Sequence, residues 1–409
     1  MKSTIYFPNL TPLRGIAALL TVIFHVGILI GPLVNLFHVS PILGPLVAHS
    51  MLLNRMYLMV DFFFILSGFI MCHVYGNLFA NTVTTAGFKK FTVARFARVY
   101  PLHFITLIYT IFLFSVSARA GVPNIPVLQI ENNNYSILTN LFLLHSMNLH
   151  TWFTWDHASW SISTEWWAYM IFPFLVKPFI KLNSTGKIII ATLCFAGYLC
   201  IMFLIVPITP SPKELNFGQG KPTDYSLNVA YQFGFLRCLC GFVLGMIVYQ
   251  AYQMGWGKKI LANGYTMLLT TLGLFTTMHF ALPDALSAAF FPLIILSGAY
   301  SSKGIDNLFS KKPMQKIGDW SFSIYLVHQP LIFTIGNIYS WFHPIDPNNP
   351  PIWIRTAHPM LISWIICIIL IAVILFVSSI TYRFWELPAR RWINSKAVKT
   401  PVLRKVLSD

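Results

Sequence analysis

The sequence predicts an all-α polytopic membrane protein of about ten transmembrane helices plus one short re-entrant or interfacial helix. Three observations carry that expectation. Of 409 residues, 56% are hydrophobic and only 10% charged, against about 25% charged residues in soluble domains. The apolar residues fall in blocks long enough to cross a bilayer, which takes about 20 residues each. The lysines and arginines are distributed unevenly between alternate connections, as the positive-inside rule requires of a multi-pass chain.

In chain order the predicted spans are 13–34, 57–79, 99–117, 159–178, 188–207, 230–252, 263–282, 286–300, 317–340 and 361–382. The first lacks a small-residue cleavage site after it and is read as a retained span rather than a signal peptide. The apolar stretch at 136–147 is too short to cross and supplies the re-entrant or interfacial helix. Ten crossings put both termini on one side. With the termini in the cytoplasm, 22 of the 28 Lys and Arg residues fall in cytoplasmic segments and five outside, with Arg237 inside a span. The expected location is therefore the plasma (inner) membrane, multi-pass, with both termini cytoplasmic. The net charge of +16 is then a signal of topology and of anionic lipids as partners. No basic RNA- or DNA-binding motif accompanies it, so nucleic acid is excluded as a partner. Six cysteines, all in apolar stretches, have no metal-finger spacing and are assigned neither disulfides nor zinc. The connections 118–158 and 208–229, both outside, are longer than ordinary loops and are expected to carry function. No repeat or second soluble domain interrupts the chain. Residues 1–392 are read as one membrane domain and 393–409 as a basic cytoplasmic tail.

Charged and titratable groups inside spans cost from about 2.5 kcal/mol upward and tend to face a cavity or a partner. Here they are Arg14, His25, Asp61, Glu165, Arg237, Asp319 and His328, with Glu386 at the last exit; Arg237, Asp319, His328 and Glu386 are read as packing or gating groups. Arg14 and His25 lie eleven positions apart in "LRGIAALLTVIFHV", so they share one helix face about 16 Å apart. Arg14 can snorkel to the headgroups, or it can face a ligand. His25 reaches mid-depth, as a neutral buried histidine or as a reactive one. The loop before the third span carries "FKKFTVARFARVYPLH", in which Arg95 and Arg98 lie three apart on one face. They serve either as positive-inside anchors or as a phosphate fork, which Arg forms better than Lys. In "HASWSISTEWWAYMIFP", Glu165 follows Trp160 and Ser161 near the outer mouth, where tryptophans also form interfacial belts. A carboxylate at that depth needs a donor: Arg, His or a substrate hydroxyl. Asp61 occupies the same depth in "VDFFFILSGFIM", a candidate for substrate binding with Trp160 and Ser161. Ser67 and Gly68 in that stretch permit close helix approach.

Together these stretches resemble the acyltransferase 3 family of membrane O-acyltransferases. "LRGIAALLTVIFHV" is similar to its R-x10-H signature. "FFFILSGFIM", "RFARVYPLH", "SWSISTEWWAYMIFP", "IGDWSFSIYLVHQP" and "TYRFWELPARRW" resemble its later blocks in the family's order, over residues 13 to about 392. Because the chain ends soon after the last span, it resembles the stand-alone type. The resemblance implies transfer of an acyl group, usually acetyl, from cytoplasmic acetyl-CoA to a hydroxyl of a carbohydrate outside, such as O-antigen or exopolysaccharide. It makes Arg14 and His25 the essential pair, Arg95 and Arg98 the cytoplasmic R-x-x-R that would hold the donor phosphates, and Trp160, Ser161 and Glu165 a third functional block. No metal is implied. In this reading His25 acts as general base or accepts the acyl group, Arg14 orients the donor, and Glu165 grips the acceptor. A transporter or flippase of an anionic or lipid-linked glycan uses intramembrane charges equally well, but the internal repeat many transporters show is missing.

Overall fold

Each predicted apolar block coincides with a helix in the computed structural model, which describes residues 7–29, 51–121, 131–209, 225–300, 303–342 and 359–397. Among the described residues there is no strand, and the protein is an all-α polytopic membrane protein. By length and composition, five helical segments are long and apolar enough to cross a membrane: Leu53–Phe79, Thr85–Arg119, Ser184–Ile208, Gly234–Gln253 and Ile365–Lys396.

Helix α1 (Leu10–Leu29) carries both Arg14 and His25. Helix α2 (Met59–Phe79) follows a short 3-10 turn over Leu53–Leu58. Helix α3 (Thr85–Arg119) departs from expectation. The stretch 85–98, read as a loop, is the first part of one 35-residue helix. Thr84 caps it by accepting from the Gly87 N–H at 3.1 Å, the usual way a hydroxyl satisfies an open helix N-terminus. At 1.5 Å per residue the helix is about 52 Å long, beyond the roughly 30 Å of a hydrocarbon core. Arg95 and Arg98 thus stand on rigid helix rather than on a flexible loop.

The expected short helix is α4 (Asn134–Leu141), started by a reciprocal capping box between Asn133 and Ser136. Next come α5 (Trp160–Lys181), α6 (Ser184–Cys200, continued by irregular turns to Ile208), α7 (Gly234–Gln253), α8 (Gly264–His279) and α9 (Phe290–Tyr300). A short helix over Lys312–Asp319 precedes α10 (Ser321–Phe342). Helix α11 (Pro359–Thr381) passes through a π-helical turn at Tyr382–Glu386 into α12 (Leu387–Ala397). Residues 393–397 of the expected tail are therefore helical; 398–409 lie outside the described residues, as do 30–34 of the first predicted span and 210–224 of the second long connection.

Two backbone contacts fix where the charged groups can go. At Gly68 on α2 and Gly245 on α7, a Cβ would lie 1.9 Å from the carbonyl oxygens of Phe242 and Ile65 respectively. The two helices touch backbone to backbone, the close approach that small residues permit in membranes. Helix α1 meets the Lys312–Asp319 helix in the same way: a Cβ at Gly318 would stand 2.2 Å from the Thr11 carbonyl oxygen. That contact seats the turn bearing Arg14 against the entry to α10.

Candidate active site

The structure separates the intramembrane charges into two kinds. Asp61 and Arg237 bind each other at the α2–α7 seam, with both side chains fully buried. The Arg237 guanidinium donates to both Asp61 oxygens, at 3.0 Å and 2.6 Å for the shortest contacts, and also to the Val229 and Tyr57 carbonyls. It lies 5.5 Å over the Trp160 ring. This corrects the expectation of a substrate-facing Asp61: its oxygens are occupied and sealed, because a carboxylate in a low-dielectric interior is held by the nearest cation. Trp160 is buried against the same pair and against Gly234. Beyond this pair, Tyr57 donates to Asp284 at 2.6 Å, and Asp284 also accepts from Arg55 at 2.7 Å.

The second kind lines α1. At its C-terminal end, the His25 Nδ1 is 3.0 Å from the Thr21 carbonyl oxygen and 3.1 Å from the Nε2 of His328 on α10, with ring centroids 4.8 Å apart. A carbonyl only accepts, so the hydrogen belongs on His25 Nδ1. That leaves Nε2 of His25 with its lone pair, making no hydrogen bond among the described residues. A backbone-anchored Nδ1–H is the usual device for fixing which imidazole nitrogen is basic. Tyr325, one turn before His328, lies 5.9 Å from its ring and shares a 2.7 Å hydrogen bond with Ser161 on α5. Ser161 reaches this end through Tyr325.

The ordered connection before α5 completes the histidine end. Glu131 accepts from the backbone and side chain of Thr151 at 2.7 Å and 2.5 Å. Asn140 donates to Thr154 at 2.8 Å. These bonds set Asp156 and His157 in place. Asp156 is 1% exposed; it stands beside Thr106 and the Ala158 N–H, yet neither oxygen is hydrogen-bonded among the described residues. His157 stacks on Phe153 at 5.1 Å and lies within electrostatic reach of His25.

At the N-terminal end of α1, guanidinium groups converge. Arg95 donates to the Tyr75 hydroxyl at 3.0 Å and lies over the Tyr75 and Tyr169 rings at 5.1 Å and 5.8 Å. Arg98 is ion-paired with Glu386, whose second oxygen accepts from Ser323 at 2.7 Å. Arg14 is within electrostatic reach of Arg98, Tyr169, Glu386 and Glu165, and among the described residues nothing hydrogen-bonds or ion-pairs with it. Glu165 is corrected in place. It accepts from Tyr169 at 2.6 Å, and Tyr169 in turn meets Ser67 at 2.9 Å. Glu165 therefore serves the arginine end, because one helical turn past Ser161 carries its side chain away from the histidines.

A polar seam thus follows α1 for about 16 Å, through Arg98–Glu386–Ser323, Glu165–Tyr169–Ser67, Ser161–Tyr325 and His328–His25. A cavity of about 450 Å³, bordered by His73, Tyr249, Tyr252 and Tyr300, opens elsewhere. His73 and Tyr75 are about 200° apart on α2, so this cavity and Arg95 are on opposite sides of that helix. Sequence reasoning singled out His328, Asp319 and Glu386 as in-span charges but assigned them to packing or gating. It passed over Tyr325, Tyr169, Asp156 and His157. The signal available for the last two was only their position at the end of a long connection.

The family model described as "Acyltransferase domain" matches residues 8–385. The chain is similar to the peptidoglycan O-acetyltransferase OatA of Listeria monocytogenes, at 20% identity over 81% of this chain and 51% of that protein. It is similar to the acyltransferase MdmB of Streptomyces mycarofaciens, at 25% identity over 66% of each. The O-acetyltransferase OatA of Staphylococcus aureus is 22% identical over 96% of this chain and 58% of its own length. The chain thus spans about half to two thirds of these relatives. No solved structure matches it.

Proposed function

The chain belongs to the acyltransferase-domain family, and from that premise we propose that it is an integral membrane O-acyltransferase. In this reading it moves an acetyl group from cytoplasmic acetyl-CoA to a hydroxyl of a surface or exported carbohydrate. It sits in the plasma membrane with both termini cytoplasmic, its basic inner face against anionic lipids. The observation that carries the reading is the arrangement along α1: an under-neutralised guanidinium cluster at one end and, at the other, an imidazole whose Nε2 makes no hydrogen bond among the described residues.

Donor phosphates bind at Arg95 and Arg98, where planar guanidiniums match phosphate oxygens. Bound phosphate competes with Glu386 for Arg98. The long pantetheine arm follows the seam and brings the thioester to His25, with Arg14 countering negative charge along the way. The acceptor enters from the side of Asp156 and Ser161. His25 Nε2 takes the acceptor hydroxyl proton as that oxygen attacks the thioester carbonyl. The C–O bond forms, the C–S bond breaks, and the proton passes from His25 to the departing thiolate, giving ester and free CoA. A base so placed contributes about 10²–10⁴-fold. Thr21 holds the imidazole in the required tautomer, and His328 packs against the same Nδ1 edge of the ring.

The test is incubation of membranes containing the protein with labelled acetyl-CoA and a glycan extract. Label should reach glycan hydroxyls and disappear with His25→Ala. Glycan translocation without acetyl-CoA consumption would replace this reading with a transporter.

A further inference from the structure

Helix α12 lies along the N-terminal part of α3, and their register can be read from two contacts. Trp385 donates its indole N–H to the Pro101 carbonyl at 2.9 Å. Glu386 pairs with Arg98. The two helices therefore run antiparallel. Arg390 lies one turn beyond Glu386 on the same face, and the next turn of α3 in that direction bears Arg95. Arg390 is half-buried there, and among the described residues no hydrogen bond or ion pair reaches it. It stands within electrostatic reach of both Arg98 and Arg95. Its neighbour Arg391 is exposed.

Four guanidiniums thus meet: Arg14 from α1, Arg95 and Arg98 from α3, and Arg390 from α12. The carboxylates facing them are Glu165 and Glu386, with Asp319 exposed at the edge. Like charges in a partly desolvated site repel strongly, since the interior screens them far less than water does. The four guanidiniums outnumber these carboxylates, so the site keeps a positive excess suited to an anion. Arg390 lies beyond the residues matched by the family model, which end at 385.

We propose that Arg390, delivered by the C-terminal helix, is a phosphate-binding residue that completes the site for the nucleotide end of the donor. The proposal rests on the reading of acyl-CoA as donor. It assigns Arg390 to the adenosine phosphates and leaves the thioester to the histidine end. The shared chemistry is a phosphate ester, which a lipid headgroup also offers, so the test separates the two.

Full-length protein in phosphatidylcholine nanodiscs, with and without phosphatidylglycerol, is titrated calorimetrically with CoA. Turnover is measured with acetyl-CoA and with acetyl-pantetheine, which lacks the nucleotide. Arg390→Gln should weaken CoA binding about 10-fold or more, as loss of one charge-assisted contact does. It should raise the KM for acetyl-CoA in proportion and leave acetyl-pantetheine turnover unchanged. Arg390→Lys should fall between, since it keeps the charge without the fork. Arg391→Gln, the same charge loss on the exposed side, should match wild type. Equal CoA affinity in wild type and Arg390→Gln overturns the proposal. So does an equal loss with acetyl-pantetheine, which would make Arg390 structural. A loss confined to the effect of phosphatidylglycerol overturns it in favour of a lipid site. Failure of the wild-type protein to bind CoA removes the donor reading and this proposal together.

Discussion

Arg237 and Arg14 are both arginines in apolar helices, and the structure treats them in opposite ways. Arg237 is wrapped: its guanidinium meets both oxygens of Asp61, two backbone carbonyls and the face of Trp160, and no part of it reaches water. Arg14 is half-buried without a hydrogen-bond partner among the described residues, and the charge of Arg98 pushes against it. A saturated charge has nothing left to offer a ligand and holds helices in register. An unsaturated one is costly to keep and, on the proposed reading, stands open to the donor. Pairing, more than residue type or depth, separates a strut from a site.

Breaking the saturated region should cost the most. Arg237→Ala leaves Asp61 buried and unpaired and should destabilise the protein by about 3–5 kcal/mol, whereas replacing both partners with apolar residues should cost less than either single change. Thermal unfolding in detergent reads this. Unfolding temperatures of the singles equal to wild type would erase the distinction drawn above. On the unsaturated side, Arg14→Gln should lower kcat/KM for acetyl-CoA about 10–100-fold, the worth of a contact to a charged group, while unfolding stays near wild type. A large drop in melting temperature would instead make Arg14 a second strut.

Gly68→Ala tests the seam on which the saturated pair sits. Its methyl would collide with the Phe242 carbonyl, so the helices must part, at about 1–3 kcal/mol. Tyr325→Phe removes the hydroxyl shared with Ser161 and should cost about 0.5–1.5 kcal/mol. If the seam positions the acceptor, kcat/KM falls by a comparable factor. The smallest effect concerns Glu131. Burial alone would raise its pKa, but hydrogen bonds from Thr151 and His150 outweigh this and hold it below the ordinary carboxylate value. With its folded pKa depressed, its contribution is present above the unfolded pKa and is lost as pH falls through the folded value. Amide protection factors in 150–157 should therefore fall at acid pH in wild type and stay flat with pH in Glu131→Gln.

Much of the framework was legible in the sequence because its signals are local. Block length located the helices, and the eleven-residue spacing put Arg14 and His25 on one face of α1. The R-x-x-R spacing put Arg95 and Arg98 on neighbouring turns, although the helix carrying them began earlier than the hydropathy did. Composition treats a polar helical extension as a loop, which explains that miss. Glu165 was expected to grip the acceptor near the outer mouth; it lies one turn beyond Ser161, against Tyr169 and toward the arginine end, which its own segment does not reveal because those arginines come from α1 and α3. Asp61 stood out as a carboxylate in a span, yet its partner is 176 residues away. His328, assigned to packing or gating, proved to be the histidine against which His25 is set, 303 residues distant.

By itself the sequence determined the class, the helices and the face of each helix on which a charge lies, because hydrophobicity and the 3.6-residue period act within one segment. The tertiary structure alone decided which charges cancel and which remain open, because pairing depends on segments far apart in the chain meeting at backbone contact. Gly68 against Phe242 made Asp61 a strut by bringing Arg237 beside it. The return of α12 along α3 left the arginine cluster with more positive charge than its carboxylates offset.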